Sequence, residues 1–569
     1  MLTKVHVDVP CHPSWVPRDR LVSYTNDYYP MGRILPNTTD SEESLAQVQE
    51  WLRDCTAAHS HCGPGAASEL PTRILDVGGQ GGTGKVRLVA ADEISTKFAR
   101  YVCLSHCWGG EMAETAMLTT KTLNSLKGGI LVETLPRVYQ DAVHITKRLG
   151  IQYLWIDSMC ILQDDDSDWD RESTSMASVY QGAFITIGAT CSRSSNEGFI
   201  RLSNSTYAST LASSKCRTVG GQLFNLYVRQ IVPHFTNEDV IAHPLLERAW
   251  VYQERLLSPR FLHFAREELV WECYEDTTCQ CLSLPYRISD FASHPWHPET
   301  KRIYSKGIHS GQAQALAACW RNVVTDYHGL TLSFEKDRLR AVAGIADQIS
   351  SVGADHDPGG PSLGRYIEGL WENSILEDLC WALWNPFRRW NLSSQEKGRQ
   401  VKWHAQTWSW ASIQDPSHQI QFRYTADQTK ERFAEVPEFG YTNHLSACQK
   451  HVQYNYIRLK LRSSWETTLG ETSKKGWEIL GPEEWKVPIA IIPDYEWYNT
   501  ANRDNLSVGN KVLCGLILST QSNHGAGLVL VLVDAELGLY RRVGTFHIRL
   551  KEWRESYSHR EKQMIVSLD

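Results

Sequence analysis

Apolar residues recur at helical spacing along several segments of the chain. In residues 42–58, Leu45, Val48 and Leu52 lie on one face, which predicts an amphipathic helix. The same spacing predicts further helices at 135–149, 168–180, 312–327 and 337–350. Helices of this kind bury one apolar stripe against a core.

Short continuous apolar runs alternate with the first of these helices. Three such runs, 101–105, 151–156 and 183–189, predict strands that are buried on both faces. Strand, helix, strand, helix, strand at this spacing favours a parallel α/β sheet with right-handed crossovers. Two shorter strands are predicted before it, at 73–77 and 86–91, joined by a glycine-rich turn.

Later parts of the chain have a different pattern. After residue 260 the pattern mixes helical and irregular segments. The last 120 residues have strand-like runs at 454–461, 511–519, 528–533 and 542–548. We therefore expect an N-terminal extension that packs on the core, an α/β domain, a mixed helical region and a β-rich C-terminal region. The predicted bounds of these four regions are 1–97, 98–260, 261–450 and 451–569.

Composition indicates a soluble globular protein that does not bind nucleic acid. The 569 residues are 42% hydrophobic and 22% charged, and the formal net charge is -7. A general nucleic-acid binder would instead carry a basic face. The longest apolar run, 528–533, is much shorter than the ~20 residues that span a bilayer. Residues 1–15 lack the pattern of a signal peptide, so we expect a cytoplasmic protein without a membrane span.

Three ordered motifs point to a known family. Residues 101–109 form an aromatic-led strand that ends in Ser-His-Cys-Trp-Gly. Residues 153–164 read Tyr-Leu-Trp-Ile-Asp-Ser-Met-Cys-Ile-Leu-Gln-Asp, and 248–255 read Arg-Ala-Trp-Val-Tyr-Gln-Glu-Arg. Together they resemble the signatures of fungal HET-domain (heterokaryon-incompatibility) proteins, although His106 stands where the family often has Tyr. Flanking segments that also resemble the family lie at 51–62, 337–345, 369–371 and 407–412.

The resemblance implies a stand-alone HET-domain protein that acts in fungal non-self recognition. Such proteins trigger growth arrest or programmed cell death after hyphal fusion. The implied partner is a protein from an incompatible allele or locus, and the resemblance leaves open an oligomer. HET domains have also been likened to TIR domains, which share a parallel, flavodoxin-like α/β layout and some of which cleave NAD. The alternative function is therefore an enzyme, acting on NAD or on a small molecule of a fungal biosynthetic cluster.

Polar side chains follow the first two predicted buried strands. They are Ser105, His106 and Trp108 after one strand and Asp157, Cys160 and Gln163 after the next. Ligands of open parallel sheets bind beyond the carboxyl ends of the strands, so these side chains would converge if the two strands are neighbours. The alternative is structural, with Trp108 and Cys160 in the core and Asp157 capping the following turn.

Chemical roles follow from the residue types. Cys160 with His106 would form a nucleophile and its base, because a thiolate needs a nearby base or cation, but a buried inert thiol is the alternative. Glu254 would supply the carboxylate that an NAD-cleaving site uses against an oxocarbenium-like transition state, or it would form a structural ion pair with Arg248. The candidate catalytic residues are Ser105, His106, Asp157, Cys160 and Glu254, and the candidate binding residues are Trp108, Gln163, Arg248 and Gln253.

Two motifs suggest ligands but have simpler explanations. Residues 79–85 spell G-x-x-x-x-G-K, yet Val86 stands where a P-loop needs Ser or Thr, and a strand pattern follows. A plain glycine turn is therefore predicted there. The acidic residues at 164–168 lack the glycine that an EF-hand calcium loop requires, so we expect an exposed loop that leads into a helix.

Cysteines and histidines gather in two parts of the sequence. These are Cys55, His59, His61 and Cys62 in one part and Cys273, Cys279 and Cys281 in the other. A zinc site shared between the two parts is one interpretation. Packing of reduced thiols is the other, because the spacing differs from that of paired zinc-finger ligands. We predict no metal and no cofactor, with NAD considered only as a substrate.

Overall fold

In the computed structural model of the protein, the chain divides into two compact units, residues 1–306 and 307–569. The residues that the structure describes are 5–8, 33–78, 84–110, 116–204, 207, 210–217, 223–230, 232, 234, 243–282, 299–356, 363–384, 405–413, 419–425, 427–441, 454–471, 477–480, 489–493, 506, 510–550 and 562–568. The strands and helices given below lie in these ranges.

The elements of the first unit are defined by their backbone hydrogen bonds. Its strands are β1 (Val5–Asp8), β2 (Ser68–Glu69), β3 (Arg73–Asp76), β4 (Lys85–Ala90), β5 (Phe98–Ala99), β6 (Tyr101–Ser105), β7 (Ile130–Leu131), β8 (Tyr153–Trp155), β9 (Ile185–Gly188), β10 (Thr210–Arg217), β11 (Leu223–Gln230), β12 (Arg260–Phe264), β13 (Leu269–Cys273) and β14 (Thr277–Cys279). Its helices are α1 (Glu42–Ala58), α2 (Leu123–Gly128), α3 (Arg137–Arg148), α4 (Asp157–Cys160), α5 (Asp166–Gly182) and α6 (Ala249–Leu257), and α7 (Thr300–Ser310) begins in this unit.

A nine-stranded sheet organises the first unit, in the order β14-β13-β12-β9-β6-β8-β3-β4-β7. Its centre is parallel: β6 pairs with β8 and β9, and β9 pairs with β12. In this register Cys103 lies opposite Trp155 on one side and Thr186 on the other. The predicted parallel pairing of the strands near 101–105, 151–156 and 183–189 is therefore confirmed.

The sheet as a whole is mixed, whereas the sequence pattern predicted only its parallel part. Strands β3, β4 and β7 extend one side antiparallel, and β13 and β14 extend the other. Short hairpin connections allow antiparallel pairing, whereas a parallel neighbour needs a longer crossover. The sheet thus continues outside the predicted α/β domain at 98–260, into the chain on both sides of it.

Helices of the first unit match their sequence patterns closely. Helix α1 covers the predicted residues, and Ser41 caps it by accepting a hydrogen bond from the backbone N–H of Ser44. Helix α3 buries Val138, Ala142 and Ile145, the apolar stripe that predicted it. The core of this unit combines such helix faces with the central strands, and the indole of Trp155 packs edge-on against Tyr180 at 5.6 Å between ring centroids.

The second unit has its own strands and helices. They are α8 (Ala313–Tyr327), α9 (Ala343–His356), α10 (Ile375–Asp378), β15 (Tyr366–Ile367), β16 (Leu370–Trp371), β17 (Ala382–Trp384), β18 (Gln419–Gln421), β19 (Thr429–Arg432), β20 (Ala434–Tyr441), β21 (Tyr454–Glu471), β22 (Trp477–Leu480), β23 (Ile489–Pro493), β24 (Lys511–Thr520), β25 (His524–Asp534), β26 (Leu539–Arg549) and β27 (Lys562–Leu568).

A second nine-stranded sheet runs from β19 to β27, and most of its pairs are antiparallel. Strand β21 pairs with β22 and also with β24, so the sheet folds back on itself. Leu516, Val529 and Phe546 belong to its buried core. Strands β21, β24, β25 and β26 contain the runs that the sequence predicts at 454–461, 511–519, 528–533 and 542–548.

Candidate functional site

The carboxyl ends of β6 and β8 bring the candidate residues together. Ser105 is the last residue of β6, and Asp157 begins α4 directly after β8. Because these two strands are parallel neighbours, their carboxyl ends lie at the same edge of the sheet. Side chains that follow the two strands therefore meet at this edge.

Asp157 is held by hydrogen bonds from two sides. The indole Nε1 of Trp108 donates to its Oδ2 at 2.9 Å, and the backbone N–H of Ser158 donates to its Oδ1 at 2.8 Å. The ring Nδ1 of His106 lies 3.8 Å from the same Oδ1. Asp157 therefore joins the two strand ends and also satisfies an amide at the start of α4.

His106 is buried and is neutral near pH 7. Its Nε2 shares a 3.0 Å hydrogen bond with the hydroxyl of Tyr139, and that hydroxyl also lies 2.7 Å from Oγ of Ser158. The pKa of His106 is lowered to about 4, chiefly by burial and to a smaller extent by the charge of Arg248, while the charge of Asp157 acts in the opposite direction.

Arg248 contributes to the same edge from the start of α6. Its Nη1 donates to the backbone carbonyl of His106 at 2.6 Å. Among the residues that the structure describes, no ion pair joins Arg248 to Glu254, which was the structural alternative for these two residues. Arg248 instead fixes the backbone that follows β6.

Glu254 lies in α6 and is buried. The pKa of Glu254 is raised to about 7, first by burial and then by the charge of Asp157. The hydroxyls of Ser105 and Tyr180 and the guanidinium of Arg248 lower it, but they do not offset burial. A carboxyl group with a pKa near the working pH can both donate and accept a proton, which is the property of a general acid–base.

Comparison with protein families gives one match. The model of the family "Heterokaryon incompatibility protein (HET)" matches residues 101–254, which run from the first residue of β6 to Glu254. This segment is similar to the HET domain, and we call it the HET domain of the chain. No curated protein and no solved structure matches it. Among the described residues, no helix is both long enough and apolar enough to cross a membrane.

Cys160 is buried among the apolar residues of the HET domain. Burial raises the pKa of its thiol to about 12, so the thiolate that a nucleophile requires is scarcely populated at neutral pH. Gln163 donates from Nε2 to the carbonyls of Ile161 at 2.9 Å and of Asp157 at 3.3 Å, which shapes the loop after α4. Gln253 is buried within α6, next to Glu254 in sequence.

Three residues at the HET-domain site are absent from the sequence-based candidates. Tyr139 and Ser158 extend the network around His106, and Tyr180 contacts the Glu254 region and donates to the carbonyl of Leu104 at 3.4 Å. The sequence offers one signal for both tyrosines. Each lies on the buried face of a predicted helix, where a tyrosine hydroxyl needs a hydrogen-bond partner.

A cavity of about 340 Å³ lies at the opposite edge of the parallel strands. Its lining includes Arg100, Gln152, Tyr153 and Phe184, which lie at or just before the first residues of β6, β8 and β9. The cavity therefore belongs to the amino ends of these strands, away from the candidate residues at their carboxyl ends.

The glycine-rich turn leads into a strand, and the acidic residues at 164–168 lead into a helix. Residues 79–83 lie outside the described residues, while Lys85 begins strand β4, where a P-loop would begin a helix. Asp165 caps α5 by accepting from the N–H groups of Ser167 and Asp168. Asp164 accepts from the N–H of Thr120 at 3.0 Å. Residues 164–167 are exposed and lead into a helix, as predicted, whereas Asp168 is buried and forms an ion pair with Arg73.

The two parts of the sequence that hold cysteines and histidines meet in one group, and a second group forms separately. Cys55, His59 and Cys62 meet Cys273, whereas Cys279 and Cys281 form a separate group with His234 and Glu268. His61 belongs to neither group, and its Nδ1 lies 3.3 Å from Oγ of Ser305.

Proposed function

We propose that the protein is a fungal heterokaryon-incompatibility effector. In this proposal its HET domain triggers growth arrest or programmed cell death in the cytoplasm, after contact with a protein from an incompatible allele or locus. The observation that carries the proposal is the match of residues 101–254 to the HET family.

The hydrogen-bond network at the strand ends favours a recognition module over a catalytic one. Asp157 accepts hydrogen bonds from the indole of Trp108 and from the backbone N–H of Ser158. The ring of His106 shares a hydrogen bond with the hydroxyl of Tyr139. Side chains satisfied in this way fix a backbone conformation, and they cost less free energy when buried than unpaired polar groups would. The motifs of the domain would then act by shaping a surface for a protein partner.

The effector proposal is tested in cells with Glu254→Gln. The protein and this variant are expressed from an inducible promoter in a filamentous fungus, and colony growth and viability staining are measured. We expect growth arrest with both, because a recognition surface does not need a titrating group at position 254.

The matched control is Glu133→Gln, which makes the same chemical change at an exposed position. Thermal melts of the purified proteins establish that each variant is folded. Loss of growth arrest in a folded Glu254→Gln variant, with arrest retained by Glu133→Gln, would contradict action by recognition alone and favour catalysis. Absence of growth arrest with the wild-type protein would contradict the effector proposal.

A second candidate function is an enzyme that uses Glu254. The specific observation in its favour is a buried carboxyl group with a pKa of about 7 beside the hydroxyl of Ser105. With the likeness to TIR domains that the family resemblance implies, this supports the proposal of an NAD-cleaving hydrolase, or of an enzyme that acts on a small molecule of a biosynthetic cluster.

Nicotinamide release tests this second candidate. Purified protein is incubated with NAD, and nicotinamide and ADP-ribose are measured by chromatography. An NAD hydrolase would release both, and Glu254→Gln would abolish the release while Glu133→Gln would not. Absence of release from the folded wild-type protein would argue against NAD as its substrate.

A further inference from the structure

Four potential metal ligands from distant parts of the sequence meet in the first unit. They are Cys55 in α1, His59 directly after that helix, Cys62 in the next loop and Cys273 at the end of β13. The three thiol sulfurs and one ring nitrogen all lie within 4.8 Å of one another. We refer to these four residues as the Cys3His cluster.

Distances inside the Cys3His cluster are those of ligands around one small ion. Nδ1 of His59 lies 3.3 Å from Sγ of Cys273 and 4.0 Å from Sγ of Cys62. A tetrahedral zinc ion with Zn–S bonds of about 2.3 Å and a Zn–N bond of about 2.0 Å separates its ligand atoms by roughly 3.5–3.8 Å. The observed separations bracket this range, so small side-chain adjustments suffice for coordination.

Secondary structure positions the first two ligands. Cys55 and His59 are four residues apart, so the helical end of α1 places them on the same face. The backbone N–H of His59 still donates to the carbonyl of Cys55 at 3.2 Å, which continues the helical geometry up to the histidine. A Cys-x-x-x-His pair at a helix end therefore presents a sulfur and a nitrogen towards one point.

Other contacts hold the loop that carries Cys62 against the turn after β13. The guanidinium of Arg260 donates to the carbonyl of Cys62 at 2.8 Å, and the N–H of His61 donates to Oε1 of Glu275 at 2.6 Å. The backbone N–H of Asp276 lies 3.3 Å from Sγ of Cys273. Hydrogen bonds from amides to sulfur are typical of the surroundings of metal-bound thiolates.

We propose that the Cys3His cluster binds a structural zinc ion. Soft thiolates with one imidazole in a tetrahedral set are the ligands of structural zinc, and four protein ligands leave no open position for catalysis. The ion would tie the end of α1 to the end of β13, which are more than two hundred residues apart in sequence. A single disulfide would join only two of the three thiols and would leave His59 without a role.

The second group, His234, Glu268, Cys279 and Cys281, does not carry the same proposal. Nε2 of His234 lies 2.7 Å from Oε1 of Glu268, and Oε2 of the same carboxylate accepts from the N–H of Cys281 at 2.6 Å. A histidine paired directly with a carboxylate accounts for these buried groups without a metal. The proposal is therefore confined to the Cys3His cluster.

Metal content of the full-length protein is the first test. The protein is purified without chelator, dialysed and assayed for zinc by mass spectrometry. We expect Cys273→Ser to lower the zinc content by about one ion per chain. The control Cys191→Ser changes a buried cysteine outside both groups, and it should leave the zinc content unchanged. An unchanged zinc content in folded Cys273→Ser would overturn the proposal.

Ligand exchange keeps the proposal testable if Cys273→Ser does not fold. His59→Cys retains four ligands and should still bind zinc, whereas His59→Ala should bind it more weakly in a chelator competition. The wild-type protein supplied with cobalt should show the visible absorption of a tetrahedral cobalt–thiolate site. Failure of the wild-type protein to bind either metal, or recovery of two of these thiols as a disulfide, would overturn the proposal.

Discussion

At the residue scale, the sequence locates the strand-end candidates but not the bonds between them. The motif order places Trp108 and Asp157 after neighbouring strands, and the structure joins them by a 2.9 Å hydrogen bond. Tyr139 completes the contact with His106, yet it comes from a helix whose rotation is set by packing. A sequence pattern gives the buried face of that helix but not the atom that a particular hydroxyl reaches.

The titration of Glu254 gives a prediction on stability. The pKa of about 7 in the folded protein lies above the ordinary value of 4.5, so the folded state binds the proton more tightly. Stability therefore falls as the pH rises from the unfolded pKa to the folded one, and the loss is complete above the folded pKa. A shift of this size corresponds to about 3 kcal/mol.

Because glutamine stays neutral, we expect Glu254→Gln to raise the melting temperature at pH 8 and to change it little at pH 5. Thermal melts at the two pH values measure the difference, with Glu133→Gln as the exposed control. Equal effects of Glu254→Gln at both pH values would mean that Glu254 does not titrate between them.

Two tryptophans of the family motifs are predicted to differ in their contribution to stability. Trp155 is fully buried against Tyr180, whereas Trp250 is only partly buried. Trp155→Ala should lower the free energy of unfolding by roughly 3–5 kcal/mol. Trp250→Ala should cost less, because less apolar surface leaves water on folding. Urea denaturation followed by circular dichroism compares them, and equal losses would contradict the burial assignment.

At the element scale, local patterns predict strands β3, β4, β6, β8 and β9 but not the outer strands β13 and β14. Strands β6, β8 and β9 are continuous apolar runs because both of their faces are buried, and that signal is visible in the sequence. Strands β13 and β14 carry similar residues, but their antiparallel pairing depends on hairpin geometry after residue 260. Nothing in a local pattern states which edge of a sheet such a hairpin joins.

The parallel pairing of β9 with β12 depends on a glycine. A Cβ atom at Gly188 would lie 2.4 Å from the ring of Phe261, which is fully buried and packs against His263 at 4.5 Å between ring centroids. We expect Gly188→Ala to destabilise the protein by about 1–3 kcal/mol, because the ring has no space in which to move.

Gly128→Ala is the matched control, because a Cβ atom at that helical position would meet nothing within 4 Å. It should be neutral or stabilise by up to about 1 kcal/mol. Chemical denaturation of both variants gives the comparison. A neutral Gly188→Ala would show that β9 and β12 are less closely packed than the structure indicates.

At the scale of the whole molecule, the sequence suggests four regions and the structure shows two compact units. The N-terminal residues proposed as an extension supply β3 and β4 to the main sheet, and the residues from 260 onwards supply β12–β14. The sequence does not reveal that these strands join the main sheet, because no change in composition marks where one sheet ends along the chain. The four predicted bounds remain a prediction about separable domains.

Independent folding of the first unit is the last prediction. All strands of its main sheet precede residue 306, and its last helix, α7, is anchored to it: the buried Nζ of Lys301 donates to the carbonyl of Arg255 at 2.8 Å. Arg255 in turn forms a buried two-point pair with Glu272, with bonds of 2.8 and 3.1 Å. A fragment that ends at residue 310 should therefore melt cooperatively.

A matched fragment that ends at residue 282 keeps the sheet but removes α7. It should melt at a lower temperature, because the buried carbonyl of Arg255 loses its cationic donor and an unpaired buried acceptor costs about 1–3 kcal/mol. Circular dichroism melts and binding of a hydrophobic dye compare the two fragments. If the longer fragment melts without cooperativity and binds the dye, the first unit does not fold by itself. If the two fragments melt alike, Lys301 does not support the Arg255–Glu272 pair.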